Sequence, residues 1–103
     1  AFDSAGQRCS AARVAYVQAD VFDAFRRLLE GAMAELRLGD PMEATTDVGP
    51  VIDDAAREAL AAHVDGARRR GLEVVAPLAA PAAGIFFPPH LIVHAVPEPL
   101  AHE

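Results

Sequence analysis

Hydrophobic residues recur at helical spacing after the first twenty positions of this 103-residue chain. Asp20 offers an N-cap, and the apolar positions that follow fall on one helical face, so the pattern predicts an amphipathic helix over residues 21–37. The sequence Gly39-Asp40-Pro41 would end it. The face expected to point inward carries Val21, Phe25, Leu28, Leu29, Ala32 and Leu36.

A second amphipathic pattern follows Asp53 and Asp54, either of which can cap a helix. Gly71 would stop this helix, because glycine adopts the left-handed conformation of a C-terminal cap without steric cost. Its expected inward face is rich in alanine and therefore shallow, which favours close packing on a sheet. That face carries Ala59, Leu60, His63, Val64 and Ala67.

Short apolar runs predict the strands. Residues 13–17 form one candidate and residues 72–75 a second, while Phe86-Phe87 and Leu91-Ile92-Val93 form one interrupted strand or two short ones, separated by Pro88 and Pro89. Residues 39–52 and 78–84, rich in Gly and Pro, are expected to be loops. The order strand, helix, loop, helix, strand, strand predicts an α/β class of fold, a partial open sheet with covering helices in one domain over residues 1–103.

Composition narrows the classes of function. The net charge of −6 disfavours a nucleic-acid surface, and the one basic cluster, Arg68-Arg69-Arg70, lies where cations complement the C-terminal end of a helix dipole. No run of 18 apolar residues predicts a membrane span, and no basic-then-apolar order predicts a signal peptide. A single cysteine suits a reducing compartment, so a cytoplasmic location is expected. The start without Met indicates a piece of something longer.

The single cysteine, Cys9, lies in the turn-prone segment AFDSAGQRCSA. A reactive cysteine needs an exposed thiolate stabilised by backbone N–H groups, a helix N-terminus or a cation, and Arg8 is an adjacent positive charge. On composition alone, a small buried residue remains the alternative.

Three separated segments resemble motifs of the aldehyde dehydrogenase superfamily. Residues 2–11 resemble its active-site cysteine segment, an aromatic residue followed by Gly-Gln-x-Cys and a small residue. Residues 38–52 resemble its GDP and GP loop, and residues 84–89 its G-x-F-x-x-P stretch, with His90 where Thr is usual. The wording of residues 1–11 is most similar to the Δ1-pyrroline-5-carboxylate dehydrogenase modules of bifunctional proline utilization A proteins.

The resemblance implies a role for three residues. Cys9 would be the nucleophile, attacking the aldehyde carbon to give a thiohemiacetal and then a thioester, with its own backbone N–H as one oxyanion donor. Ser10 would hold the α-carboxylate of the substrate, although it also simply suits a tight turn. Glu103 would bind the nicotinamide ribose of NAD. Gln7 is expected to shape the loop rather than to react.

The resemblance also implies what surrounds this part of the enzyme. The small-molecule substrate would be L-glutamate γ-semialdehyde, oxidised to glutamate with NAD, and FAD would belong to a linked proline dehydrogenase module outside this chain. The whole enzyme would be a homo-oligomer. Neither the family's general-base glutamate nor its cofactor-binding domain has a counterpart here, so residues 1–103 would be a partial catalytic domain without activity of its own.

Two alternatives to this function stay open. The chain could belong to an aldehyde dehydrogenase for another aldehyde, or it could be a non-catalytic remnant that serves packing or oligomer contacts. A slice of a larger domain should also leave apolar surface uncovered, and Phe2, Phe86 and Phe87 are the residues expected to be exposed.

A metal site is not expected. His90 and His94 are four residues apart, but the prolines and the apolar residues between them favour a strand, on which the two rings would lie too far apart to share one zinc ion.

Overall fold

The computed structural model describes residues 1–95 and contains two α-helices, one short 3₁₀ segment at Asp3–Gly6 and a two-stranded sheet. Helix α1 spans Ala19–Ala34 and helix α2 spans Asp54–Arg69. Strands β1, Glu73–Val75, and β2, Leu91–Val93, pair in antiparallel register, with Val74 opposite Ile92. The expected α/β fragment is therefore confirmed.

Helix α2 has the predicted ends. The Asp53 carboxylate accepts a hydrogen bond from the Ala56 backbone N–H at 2.7 Å, which satisfies one of the free donors at the helix N-terminus. Gly71 follows the helix with a φ of +77°, the left-handed conformation predicted for it. At the basic end of the helix, Arg68 pairs with Asp65.

Helix α1 begins earlier than predicted, at Ala19, and ends earlier, at Ala34. Its N-cap residue is Gln18, which makes no side-chain capping bond, and Asp20 lies in the first turn of the helix instead. A carboxylate there still complements the positive end of the helix dipole.

The predicted strand at residues 13–17 is wrong. This stretch is not assigned to any strand, and Val14 and Tyr16 are exposed. A strand needs a neighbour for its backbone N–H and C=O groups, and the sheet in residues 1–95 holds only β1 and β2. The strand predicted at Phe86-Phe87 is also wrong, because this pair lies outside any strand, next to two prolines that lack a backbone N–H donor.

A small apolar core joins α1, α2 and the loop between them. Met33 of α1, Val64 and Ala67 of α2, and Val48 and Val51 of the loop are buried. The loop has no helix or regular strand, as predicted, yet a parallel bridge between Leu38 and Val48 holds its two ends together.

Several side chains predicted to point inward do not. In α1, Val21, Phe25 and Leu28 are exposed, and so is Ala32. In α2, Ala59, Leu60 and His63 are exposed, and burial is confined to the next turn of the helix. Helical periodicity identifies an apolar face, but a face becomes buried only where another element covers it.

The expectation for the phenylalanines is also wrong. Phe2, Phe86 and Phe87 are half-buried. The exposed large apolar side chains lie instead on α1, on residues 14–16, at Met42 and Ile52 of the loop and at Leu60 of α2. None of the helices in residues 1–95 has the length and apolar character that crossing a membrane requires.

Candidate active site

Cys9 lies at the corner of a tight turn on the protein surface. The Ala11 N–H donates to the Arg8 carbonyl at 3.0 Å, so Cys9 and Ser10 are the two central residues of that turn. The thiol is free and exposed. The alternative of a small buried cysteine is therefore wrong, and the sulfur is accessible to a reagent or substrate.

The backbone N–H of Cys9 is available as a donor. Within residues 1–95 it has no hydrogen-bond acceptor, whereas the N–H groups of Gln7 and Ala11 on either side are both used. A backbone donor beside an exposed sulfur is the arrangement that could stabilise negative charge on an oxygen bonded to the attacked carbon. The arrangement is compatible with the oxyanion role expected for Cys9.

The chain enters this turn through a left-handed stretch. Ser4 and Ala5 have φ values of 52° and 53°, and Gly6 has a φ of 72°. Left-handed backbone costs a residue with a Cβ roughly 1–2 kcal/mol, so two such residues in a row need compensating contacts. The Ser4 carbonyl accepts from the Gln7 backbone N–H at 3.1 Å, and the Ser4 hydroxyl accepts from Arg8 Nε at 2.9 Å. One donor of the Arg8 guanidinium is therefore engaged by the Ser4 hydroxyl.

The Gln7 side chain connects the cysteine segment to the loop before α2. Its Oε1 accepts from the Ile52 backbone N–H at 2.8 Å. Its Nε2 donates to the Ser4 carbonyl at 3.0 Å and, more weakly, to the Pro50 carbonyl at 3.4 Å. We call these three hydrogen bonds the Gln7 clamp. They bear out the expectation that Gln7 shapes the loop.

The third segment joins the same cluster through Val51. The Val51 N–H donates to the Ile85 carbonyl at 2.9 Å. Next to it, Gly84 has a φ of +101°, and a Cβ at this position would lie 2.5 Å from Cε2 of Phe86. The cysteine segment, the loop at residues 50–52 and the segment around Gly84 are therefore linked by hydrogen bonds, although they are far apart in sequence.

Ser10 is exposed beside Cys9, at the edge of a shallow depression of about 180 Å³. The depression is open and mixed in charge, since Arg8 and Asp3 both line it. A hydroxyl here can donate to an acceptor that approaches the sulfur. The full lining is Ala1, Asp3, Arg8, Ser10 and Ala11.

Two other groups of predicted residues lie away from this cluster or outside the described part. Glu103, the expected ligand of the cofactor ribose, lies outside the described residues. His90 is half-buried, its ring stacks on Phe87 with centroids 4.8 Å apart, and its Nδ1 lies 2.7 Å from the Pro88 carbonyl oxygen. In residues 1–95 no three His, Cys, Asp or Glu side chains come together where they could hold a metal ion.

Comparison with known proteins gives the same family over nearly the whole chain. Residues 1–101 match the aldehyde dehydrogenase family. The bifunctional protein PutA of Klebsiella aerogenes is 51% identical over 74 residues, which are 72% of this chain and 6% of that protein. A sulfoacetaldehyde dehydrogenase of Neptuniibacter caesariensis is 41% identical over 73 residues, 71% of this chain and 16% of that protein.

Solved structures agree. A mutant of proline utilization A from Bradyrhizobium japonicum superposes with a TM-score of 0.76 at 44% identity, covering 88% of this chain and 9% of that one. The chain thus spans only a small part of the relatives that it matches. Because the family match extends far beyond half of its length, this chain belongs to the aldehyde dehydrogenase family.

Proposed function

We propose that residues 1–103 are the nucleophile-bearing part of an NAD-dependent aldehyde dehydrogenase that oxidises L-glutamate γ-semialdehyde to glutamate. The observation that carries the proposal is the exposed thiol of Cys9 in a turn that the Gln7 clamp fixes. The similarity to bifunctional PutA supports the proline-derived substrate.

The chemistry follows from the sulfur. The Cys9 thiolate gives an electron pair to the aldehyde carbon, the C=O π pair moves to oxygen, and the Cys9 N–H is the nearest donor for that oxyanion. Removal of a hydride from the same carbon re-forms the C=O bond and leaves a thioester. Water then attacks the thioester carbon and the C–S bond breaks, which releases the carboxylate, the Cys9 thiol and one proton.

NAD would accept the hydride when bound, but neither α-helix N-terminus in residues 1–95 fits its pyrophosphate. Helix N-termini attract a pyrophosphate through their free N–H groups, and Asp53 already occupies that position on α2, while Asp20 lies in the first turn of α1. Binding of the cofactor is therefore assigned to other parts of the enzyme, with Glu103 as the one contributor proposed from this chain.

The substrate is proposed to carry an anionic group. Sulfoacetaldehyde, named for one relative, has a sulfonate, and glutamate γ-semialdehyde has an α-carboxylate. Ser10, adjacent to the nucleophile, is proposed to donate its hydroxyl hydrogen to that anion. Sulfoacetaldehyde is therefore the second candidate substrate.

The resemblance to bifunctional proline utilization A proteins supports three further proposals. They are a linked FAD-dependent proline dehydrogenase module, a homo-oligomeric assembly and a cytoplasmic location.

The test uses the intact protein that carries these residues. Formation of NADH is followed with glutamate γ-semialdehyde and with sulfoacetaldehyde, for the wild type and for Cys9→Ala. We expect turnover of the first aldehyde in the wild type, none in Cys9→Ala, and equal NAD affinity in both. Ser10→Ala should raise KM for glutamate γ-semialdehyde, which has a carboxylate, and leave turnover of an aldehyde without an anionic group unchanged. Turnover by Cys9→Ala would refute the role of Cys9, and a preference for sulfoacetaldehyde would refute the substrate.

A further inference from the structure

The Gln7 side chain forms hydrogen bonds through both ends of its amide group. Its amide offers a donor at one end and an acceptor at the other, and the structure uses both. The acceptor binds the Ile52 N–H and the donor reaches the Ser4 and Pro50 carbonyls. A carboxylate of the same size could keep only the first of these bonds, and an apolar side chain none.

These contacts lie next to the reacting sulfur but do not include it. Gln7 is two residues before Cys9, and its backbone N–H and side chain both bind the carbonyl of Ser4 in the left-handed stretch. The partners at residues 50–52 belong to a loop that is fixed to the core by buried Val48 and Val51. The clamp therefore connects the cysteine turn to a loop that contributes residues to the core.

We infer that Gln7 is a positioning residue for the nucleophile. The clamp holds the turn that bears Cys9 at a fixed position relative to the loop at residues 50–52. This inference rests on the proposed function and extends it. Gln7 does not contact the substrate, so its loss should lower kcat more than it changes KM. A displacement of about 1 Å of a reacting group can reduce the rate on the order of a hundredfold.

The test compares three variants of the intact protein. Gln7→Leu removes the whole clamp, and Gln7→Glu keeps the acceptor for Ile52 N–H but loses the donor. Gln18→Leu is the matched control, because Gln18 is an exposed glutamine whose side chain makes no capping bond at α1. Steady-state kinetics, thermal unfolding and amide hydrogen exchange at Ile52 are measured on each.

We expect Gln7→Leu to lower kcat per mole of folded protein about ten- to a hundredfold with KM changed less than about threefold. Exchange at Ile52 should become about three- to tenfold faster, the range expected for loss of one hydrogen bond. Gln7→Glu should retain most of the protection at Ile52 and have an intermediate kcat. Gln18→Leu should match the wild type in every measurement.

The outcomes separate the two proposals. If kcat of Gln7→Leu falls only in proportion to its folded fraction, Gln7 is merely structural and the inference is overturned. Unchanged exchange at Ile52 would overturn it as well, because the clamp would then be absent. If the wild type oxidises no aldehyde, the proposed function fails, and exchange at Ile52 alone then decides whether the clamp exists.

Discussion

At the scale of single residues, Gly84 shows how the backbone constrains the site. Its φ of +101° and the 2.5 Å that would separate an added Cβ from the Phe86 ring both exclude a side chain. We expect Gly84→Ala to lower the free energy of unfolding by about 1–3 kcal/mol, measured by urea denaturation. Gly31→Ala is the control, because Gly31 lies within α1 with no atom near its Cβ position, and it should gain about 0.5–1 kcal/mol. Equal effects of the two substitutions would contradict this account.

Sequence could predict an accessible cysteine in a turn, which the structure confirms at Cys9, but not the contacts that hold this turn; the roles of Cys9, Ser10 and Glu103 stay predictions. The turn around Cys9 follows from local composition, and the three motifs follow from the family resemblance. Gln7 binds Pro50 and Ile52, which follow it by 43 and 45 positions in the sequence, and no local pattern specifies such pairs. The one signal available was a glutamine, able to donate and accept at once, in a segment otherwise made of small residues and turn formers.

At the scale of elements, an ion pair connects α1 to the sheet. Arg26 of α1 donates to both carboxylate oxygens of Glu73 in β1 and also pairs with Glu30 one turn along the helix. The hydrogen bond from Arg26 holds the pKa of the Glu73 carboxyl below its ordinary value of 4.5. A carboxylate whose pKa is lower in the folded state stabilises the fold above its unfolded value, and the contribution is lost as the pH falls through the lowered pKa.

Glu73→Gln tests that linkage. We expect the variant to be less stable than the wild type at pH 7, with a difference that shrinks once the pH drops below 4.5. The difference should also shrink in high salt, because the Glu73 side chain is about half exposed to solvent. Urea denaturation across that pH range measures it. Glu58→Gln, an exposed position on α2, should show no such pH-dependent difference. A difference that shows no decrease at all below pH 4.5 would contradict the ion pair as its cause.

Elements were predictable to the extent that their determinants are local. The ends of α2 could be predicted from the cap at Asp53 and the stop at Gly71, because both signals act within one turn of the helix. The failed strand at residues 13–17 has the opposite cause. Its apolar character was recognised correctly, but strand formation depends on a partner strand, and partners are distant in sequence.

At the scale of the whole molecule, the core is small relative to the apolar surface that remains open. Five side chains, Met33, Val48, Val51, Val64 and Ala67, make up the buried hydrophobic set of residues 1–95, whereas α1 alone exposes Val21, Phe25 and Leu28. The spacing of those three residues places them on one side of the helix. Sequence periodicity grouped these residues on one side, but the prediction that this side points inward is wrong within residues 1–95, because no other described element covers it.

Substitutions at Leu28, on the exposed side of α1, and at Met33, in the core, test which parts of this helix are buried. Leu28 is 74% exposed, so Leu28→Gln should change the free energy of unfolding by less than about 0.5 kcal/mol while lowering both the fluorescence of a bound hydrophobic dye and the tendency of the 103-residue chain to self-associate. Met33 is fully buried on the same helix, so Met33→Ala should cost about 2–5 kcal/mol because it opens a cavity. Urea denaturation, dye binding and sedimentation measure the three effects. If Leu28→Gln destabilised the protein as much as Met33→Ala, this side of α1 would have to be covered in solution, and the small core described for residues 1–95 would be incomplete.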